Sequence, residues 1–477
     1  MCVGSGESSA IMKHLTNGKT VTTGKATRIS RRDFLATAGA ATPFFILPRG
    51  SFGAERSSPN DMLNVAFIGM GGQIQGHMGK LTQHHVLAIC DVDEEQITKT
   101  KAQHGERVAK ARSYSDYRKL FEKEKSLDAV VIATPDHWHA PICKMAMESG
   151  IHVFCEKPLT HTVSEARMLR ELARKSKVVT QLGNQGSASN NFRRSLELIE
   201  AGLFGEITEV HAWYPQHHRW PSGVSRPEGE DPIPASLNWD AWCGPAPLRP
   251  FKKGIYHPFT WRGWHDFGSG SMGDFSCHAF NLPVRALDLD YPDRIEVSGT
   301  KLGLESYPLS CTIRLHFPAK GKRGAVTLVY YSGGDMPPPE VTSELIGTFG
   351  EVPAYGCLLK GNKGLLQAGL WNMDCYVKLN DEKKFFGHTN HPAAKEIPVT
   401  IPRCSAGHLG EWVEAIRTGS KTFSDFDRGG HLTEIGLAGI VALRLQKNIA
   451  WDGPNMKAPG TPEADAFVHQ QDRTKWL

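Results

Sequence analysis

Val65-Ala66-Phe67-Ile68-Gly69-Met70-Gly71-Gly72-Gln73-Ile74-Gln75-Gly76-His77 is the stretch on which the fold turns. Four apolar residues running into glycine predict a short buried strand, and the residues after it predict a helix over 73–83. Gly69 would make the tight turn and Gly71 would let the backbone approach a pyrophosphate. The helix start would aim its unpaired N–H groups at the phosphates. Ile74 stands where a third glycine would tighten helix–strand packing, and Gly72 and Gly76 are expected to compensate. Alone, these glycines are a weak signal. Asp91 strengthens it, because it ends a second apolar run, Val86–Cys90, 20 residues after Gly71. A carboxylate there hydrogen-bonds both ribose hydroxyls of NAD and repels a 2′-phosphate, so NAD is expected over NADP.

Further apolar runs at 129–133, 153–155 and 178–182 alternate with helix-like stretches at 93–103, 115–124, 138–149 and 164–176. This alternation predicts a doubly wound parallel sheet, an α/β Rossmann domain over 62–182. After Gly183 the texture changes. A helix at 191–202 leads to a strand at Ile207–Tyr214, then to a Pro- and Trp-rich loop over 215–263. Strands are expected at 294–299, 311–316, 324–331 and 341–347, and helices at 408–418 and 430–447. Residues 183–477 therefore read as an α+β domain with a mostly antiparallel sheet. An intact GxGxxG at 268–273 follows an aromatic loop and not a buried strand, so it lacks the setting for dinucleotide binding.

The 477 residues are 40% hydrophobic and 22% charged, which excludes a disordered or fibrous chain. No apolar run is long enough for an integral membrane span. The formal charge of +5 lies wholly in residues 1–54, and residues 55–477 balance 48 basic against 48 acidic side chains. A nucleic-acid partner is not expected without a basic field on the folded part. Ser30-Arg31-Arg32-Asp33-Phe34-Leu35 matches the twin-arginine pattern and precedes a weakly apolar stretch. Residues 1–54 are thus expected to be an export signal leading to the periplasm. None of the ten cysteines forms a CxxC pair, so neither disulfides nor a zinc site is expected. His217-His218 lack a carboxylate or third histidine at ligand spacing, and no metal is expected.

The third run ends in Thr134-Pro135-Asp136-His137-Trp138-His139, and the fourth in Cys155-Glu156-Lys157-Pro158. In a doubly wound sheet both ends open onto the ligand crevice. A lysine held beside a cationic nicotinamide could take a hydroxyl proton as hydride leaves. Asp274 and His278 are four residues apart in a helix-like run and share one face. Lys157, Asp274 and His278 converging on one carbinol would be a proton-handling set for alcohol oxidation. Aromatic and hydrogen-bonding residues from His211 to Trp264 suit a sugar ring, equally as packing or as substrate contacts.

In that order, Gly69-x-Gly71, Asp91, Glu156-Lys157-Pro158 and Asp274-xxx-His278 resemble the Gfo/Idh/MocA oxidoreductase family. The resemblance covers 62–477 and extends to Glu411-Trp412 and Trp451-Asp452. Its nearest aspect is an exported bacterial branch bearing TPDHWHAP, CEKPLTHTV and WRGWxDFGxGxxGD segments. It implies a Rossmann domain followed by a domain with a large open sheet that joins homodimers or tetramers. It also implies proton transfer by Lys157 with Asp274 and His278. Thr134 and Pro135 would line the nicotinamide, His139 would bind the cofactor, Glu156 would sit near the nicotinamide's ribose, and Asn184 and Gln185 near cofactor or substrate. Arg219, Trp220, Trp264 and His265 would face the substrate. Ile74 departs from the family pattern, as does His265 at a commonly aromatic position. Three functions stay open: an NAD-dependent oxidoreductase acting on a sugar carbinol, an NAD-recycling enzyme that cleaves glycosides by oxidation and elimination, and a non-catalytic sugar-binding protein.

Overall fold

β1 (Asn64–Ile68) lies inside a six-stranded parallel sheet, flanked by β2 (His85–Cys90) and β4 (Ala129–Ile132). The order is β3-β2-β1-β4-β5-β6, with β3 at Arg112–Tyr114, β5 at His152–Cys155 and β6 at Thr180–Leu182. The computed structural model describes residues 62–214, 220–300, 305–469 and 472–473. The expected export signal at 1–54 falls outside them. β1, β4 and β5 are buried on both faces, which is why they read as continuous apolar runs. β3 escaped sequence reading because Arg112-Ser113-Tyr114 is a short edge strand with no apolar run.

The second sheet has nine strands in the order β14-β13-β12-β11-β7-β10-β9-β8-β15. β7 (Ile207–Tyr214), β8 (Arg294–Gly299), β9 (Cys311–Phe317) and β10 (Val326–Ser332) fall where expected. β7 and β10 run parallel at the sheet's centre and the remaining pairs are antiparallel. β11 (Gly356–Gly361), β12 (Gly364–Gln367), β13 (Tyr376–Leu379), β14 (Phe386–Gly387) and β15 (Ile449–Ala450) complete it.

The strand expected at 341–347 is instead the helix Pro339–Phe349. Pro339 opens it, where a missing N–H leaves nothing unpaired, and left-handed Gly350 ends it. Val341, Thr342 and Leu345 form its buried stripe, a helical spacing that period-two reading mistook for a strand. The opposite face of the sheet packs against the helices Gly270–Ala279 and Phe426–Leu445 around a core including Phe280, Ile313, Leu328 and Ile435. Helix Phe426–Leu445 also lies along helix Val163–Lys175, where buried Glu434 pairs with Arg167 and Arg170. The nine cysteines among the described residues are all free.

Candidate active site

A cavity of about 560 Å³ runs along the carboxyl ends of β1, β2, β4 and β5. Gly69 leaves β1 at φ +87°, and a Cβ there would lie 2.7 Å from both the Ala133 oxygen and the Thr134 nitrogen. Only glycine satisfies that conformation and that approach together. Helix Gly72–Lys80 starts without a side-chain cap, and a Cβ at Gly71 or Gly72 would meet nothing within 4 Å. Its first N–H groups therefore face open cavity, as a pyrophosphate requires. Gly72 and Gly76 do not compensate for Ile74. The Ile74 side chain is fully buried beside Phe67 and Met78, and no neighbour approaches Gly76.

Asp91 accepts hydrogen bonds from the Met70 N–H at 2.6 Å and the Asp93 N–H at 2.9 Å, one on each carboxylate oxygen. These fix the carboxylate at the cavity wall and leave each oxygen a lone pair for a ribose hydroxyl. Burial outweighs them and pushes the carboxyl up to about 6. At the other end the Thr134 hydroxyl is buried without a hydrogen-bond partner. An uncapped helix start, an aligned carboxylate and an orphaned hydroxyl along one groove fit a dinucleotide.

Lys157 Nζ donates to Asp274 Oδ1 at 2.8 Å and to the Asp274 carbonyl at 3.0 Å. Burial pushes the Asp274 carboxyl up, but the charges of Lys157 and Arg262 outweigh it and hold Asp274 below the usual carboxylate range. One turn further along the same helix, His278 is buried with Nδ1 unpartnered. Burial, aided by the Lys157 charge, lowers it to about 3, so the imidazole is neutral. Glu156 Oε1 lies 2.6 Å from His77 Nε2. Burial raises the Glu156 carboxyl, yet His77 and Lys157 bring it below its ordinary value. A Cβ on Gly183, the residue after β6, would come within 2.8 Å of that carboxylate and would displace it.

The GxGxxG at 268–273 has a structural meaning of its own. A Cβ on Gly268 would strike the Arg262 backbone, one on Gly270 the Tyr307 ring, and one on Gly273 the Ser269 side chain. These close approaches seat the start of helix Gly270–Ala279, which brings Asp274 and His278 to Lys157. Ser269 itself donates to Asp136 Oδ2 at 2.6 Å.

Thr134, Pro135, His139, Glu156, Gln185 and Trp220 line the cavity. His139, however, lies between the two loops, with Nδ1 2.7 Å from the Pro158 carbonyl and Nε2 2.9 Å from the Thr134 carbonyl, and its single N–H can donate to one of them. Asn184 does not reach the cavity. Its side chain bonds Ser187, Ser424 and the Cys277 carbonyl and lines a separate cavity beside Arg285. Trp264 and His265 also lie off the cavity. Trp264 is buried in an aromatic cluster with its indole N–H on the Ile255 carbonyl, and His265 packs on Tyr307. Arg219 falls outside the described residues. Sequence reading missed Asp136, Arg262, Phe275 and Trp371 as cavity residues. The first three sit in motifs already singled out, whereas nothing local marks Trp371. Among the described residues, no group of three or more His, Cys, Asp or Glu is arranged to hold a metal ion.

A Rossmann sheet with a dinucleotide groove opens onto a cluster in which Lys157 comes from the end of β5 and Asp274 and His278 from a helix of the second domain. The chain belongs to the Gfo/Idh/MocA family: residues 63–184 match its NAD-binding Rossmann fold and residues 197–304 its C-terminal alpha/beta domain. A glycosyl hydrolase family 109 protein of Shewanella pealeana is 30% identical over 217 residues, 40% of this chain and 47% of that protein. An alpha-N-acetylgalactosaminidase of Shewanella oneidensis is 28% identical over the same shares. The chain thus matches about half the length of these curated relatives. Among solved structures, levoglucosan dehydrogenase in complex with NADH superposes with a TM-score of 0.54 at 18% identity, over 81% of this chain and 98% of the other. An inositol dehydrogenase homologue from Azotobacter vinelandii, with NADH and myo-inositol, superposes with a TM-score of 0.54 at 17% identity over 82% and 98%. These likenesses establish the fold.

Proposed function

We propose that the protein holds NAD along the cavity and uses it to remove hydride from a carbinol of a sugar or glycoside. The observation that carries this reading is the Lys157–Asp274 pair, with neutral His278 one turn away, at the end of the groove that Gly71 and Asp91 begin. Asp91 favours NAD over NADP, because a second anion beside a buried carboxylate is repelled. Bound there, NAD would supply the hydride acceptor. Lys157 relays the carbinol proton, and Asp274, 2.8 Å away, stabilises its ammonium. The free His278 nitrogen holds a neighbouring hydroxyl. Arg262 stacks on Trp261 at 4.2 Å and on Phe259 at 4.6 Å, giving a polar and aromatic wall suited to a sugar ring.

Two observations favour the glycoside-cleaving variant. The curated relatives carry glycosidase names over the matched segment. In addition, the aromatic segment from Trp220 to Phe267 walls the cavity and is fastened to the Rossmann half. Glu94 N–H donates to the Ser236 carbonyl, Asn238 N–H to the Val92 carbonyl, and His257 Nε2 bonds Asp93 at 2.9 Å. Such a strap slows cofactor exchange, which suits hydride returned within each cycle. The twin-arginine route to the periplasm and assembly into dimers or tetramers through the second domain belong to the same proposal. Purifying the protein and assaying its bound nucleotide, then glycosides and free sugars, tests it. Reduced cofactor accumulating with sugar consumed supports simple oxidation, and aglycone released over many turnovers without net reduction supports cleavage. Neither product, with nucleotide bound, would leave a sugar-binding protein.

A further inference from the structure

Asp136 is a carboxyl at the chemical end of the cavity to which the proposed oxidation gives no part, and unlike Glu156 it is not paired with a histidine. It is buried in the short turn after β4, lines the same cavity as Lys157, Asp274 and His278, and accepts a hydrogen bond from the Ser269 hydroxyl at 2.6 Å. A dehydrogenase that merely oxidises a carbinol moves one proton, and Lys157 serves it. A second buried carboxyl a short distance from the first has no part in that reaction. We propose that Asp136 is a second proton-transfer group, which protonates the leaving aglycone and later deprotonates the incoming water, so that the site cleaves glycosides. The inference rests on the oxidation reading and deepens it.

The chemistry asks for such a group. Once the carbinol two carbons from the anomeric carbon has become a ketone, the C–H between them is acidic. A base takes that proton, the C–H electron pair becomes the new C=C bond, and the anomeric C–O bond breaks. The leaving oxygen needs a proton as it departs, and water adding back to the alkene must lose one. Lys157 and His278 surround the carbinol, so the leaving group calls for a separate acid. Asp136 meets the requirement by its surroundings. Burial pushes its carboxyl up to about 7, the Ser269 bond and the cations Arg262 and Lys157 pull it down, and the charge of Asp274 pushes it up. Cys155, Cys277 and Tyr307 are the other titratable groups that feel it, and burial keeps all three protonated. A carboxyl poised near neutrality serves as acid and base in turn. The three close-packed glycines that seat Ser269 and Asp274 also fix the relation of the two carboxyls.

The test uses the whole protein with its nucleotide, comparing parent, Asp136→Asn and Asp136→Glu. Asp136→Asn should release nitrophenol from nitrophenyl glycosides ~10²–10⁴-fold more slowly, the usual loss for a positioned acid–base group. Its single-turnover reduction of bound nicotinamide by the same sugars should stay within threefold of the parent, and Asp136→Glu should recover part of the release. Release at the parent's rate in Asp136→Asn overturns the proposal. So does an equal loss of both steps, which marks a structural role. If the parent reduces its nucleotide but releases no aglycone, the cleavage assignment falls while the oxidation reading stands. If the parent reduces nothing, both fall. Independently of turnover, the infrared difference between parent and Asp136→Asn should contain a protonated-carboxyl band at about pH 6 that is gone by about pH 8. Its absence at the lower pH removes Asp136 as a proton carrier.

Discussion

At Asp91 one carboxylate is asked to do two things whose demands on charge differ. Burial holds it up to about 6 in the protein alone, whereas accepting two ribose hydroxyls requires the ionised form. NAD binding therefore favours loss of the proton. Affinity should be full above about pH 6 and fall as the pH drops through it, because protonation removes one acceptor. Asp91→Asn should bind weakly at every pH, with the loss of a charge-assisted bond amounting to ~1–3 kcal/mol, and its affinity should lack this pH dependence. Calorimetric titration from about pH 5 to 8 checks both, and a flat profile in the parent would refute the role. Asp91 was legible in sequence because a carboxylate closing a second apolar run has few other uses. Asp136 was quoted within a motif but not assigned. Its meaning depends on Ser269, 133 positions away, and on which groups surround it once the chain has folded.

The turn after β1 and the helix it feeds behave as one element, and their glycines are not equivalent. Gly69→Ala places a Cβ 2.7 Å from two backbone atoms of the β4 exit, on a left-handed backbone that alone costs roughly 1–2 kcal/mol. It should lower thermal stability and abolish nucleotide binding. Gly76→Ala meets nothing and sits inside a helix on the exposed face, so it should stabilise by about 0.5–1 kcal/mol. Thermal melting of the pair would contradict this account if the two shifts had the same sign. The aromatic strap makes a claim of its own. His257→Ala removes the bond to Asp93, and dissociation of bound NAD, followed by exchange with labelled nucleotide, should quicken several-fold. An unchanged rate would show that the strap does not hold the cofactor. Elements with one strong signal were readable: buried parallel strands as apolar runs, and helices as amphipathic stretches between them. Helix Pro339–Phe349 was not, because its buried stripe is short, Val341, Thr342 and Leu345, and the proline and glycine that bracket it decide the matter. β3, an edge strand of three residues, offered no apolar run at all.

For the whole molecule, the division into a nucleotide-binding half and a sheet-bearing half follows from the change of texture after Gly183. The convergence between the halves does not. Lys157 comes from the end of β5 and Asp274 from a helix 117 residues further on, and they meet because helix Gly270–Ala279 packs under helix Phe426–Leu445 beside the first sheet. Pairing distances of that kind leave no local trace, and only the resemblance of ordered motifs pointed to them. Among the described residues no helix is long and apolar enough to cross a membrane. The proposed twin-arginine export has its own test: Arg31→Lys with Arg32→Lys should leave folded protein in the cytosol, and undiminished appearance outside it would refute that route. The most direct test of the central claim is a single-turnover mixing experiment. The purified protein, with its nucleotide bound, is mixed with sugars and glycosides, and the absorbance of reduced nicotinamide is followed for the parent and for Lys157→Ala. The account predicts reduction by at least one sugar in the parent and a rate lower by ~10²–10⁴-fold in Lys157→Ala with nucleotide still bound. Reduction at the parent's rate without Lys157, or none in the parent with nucleotide in place, would contradict it.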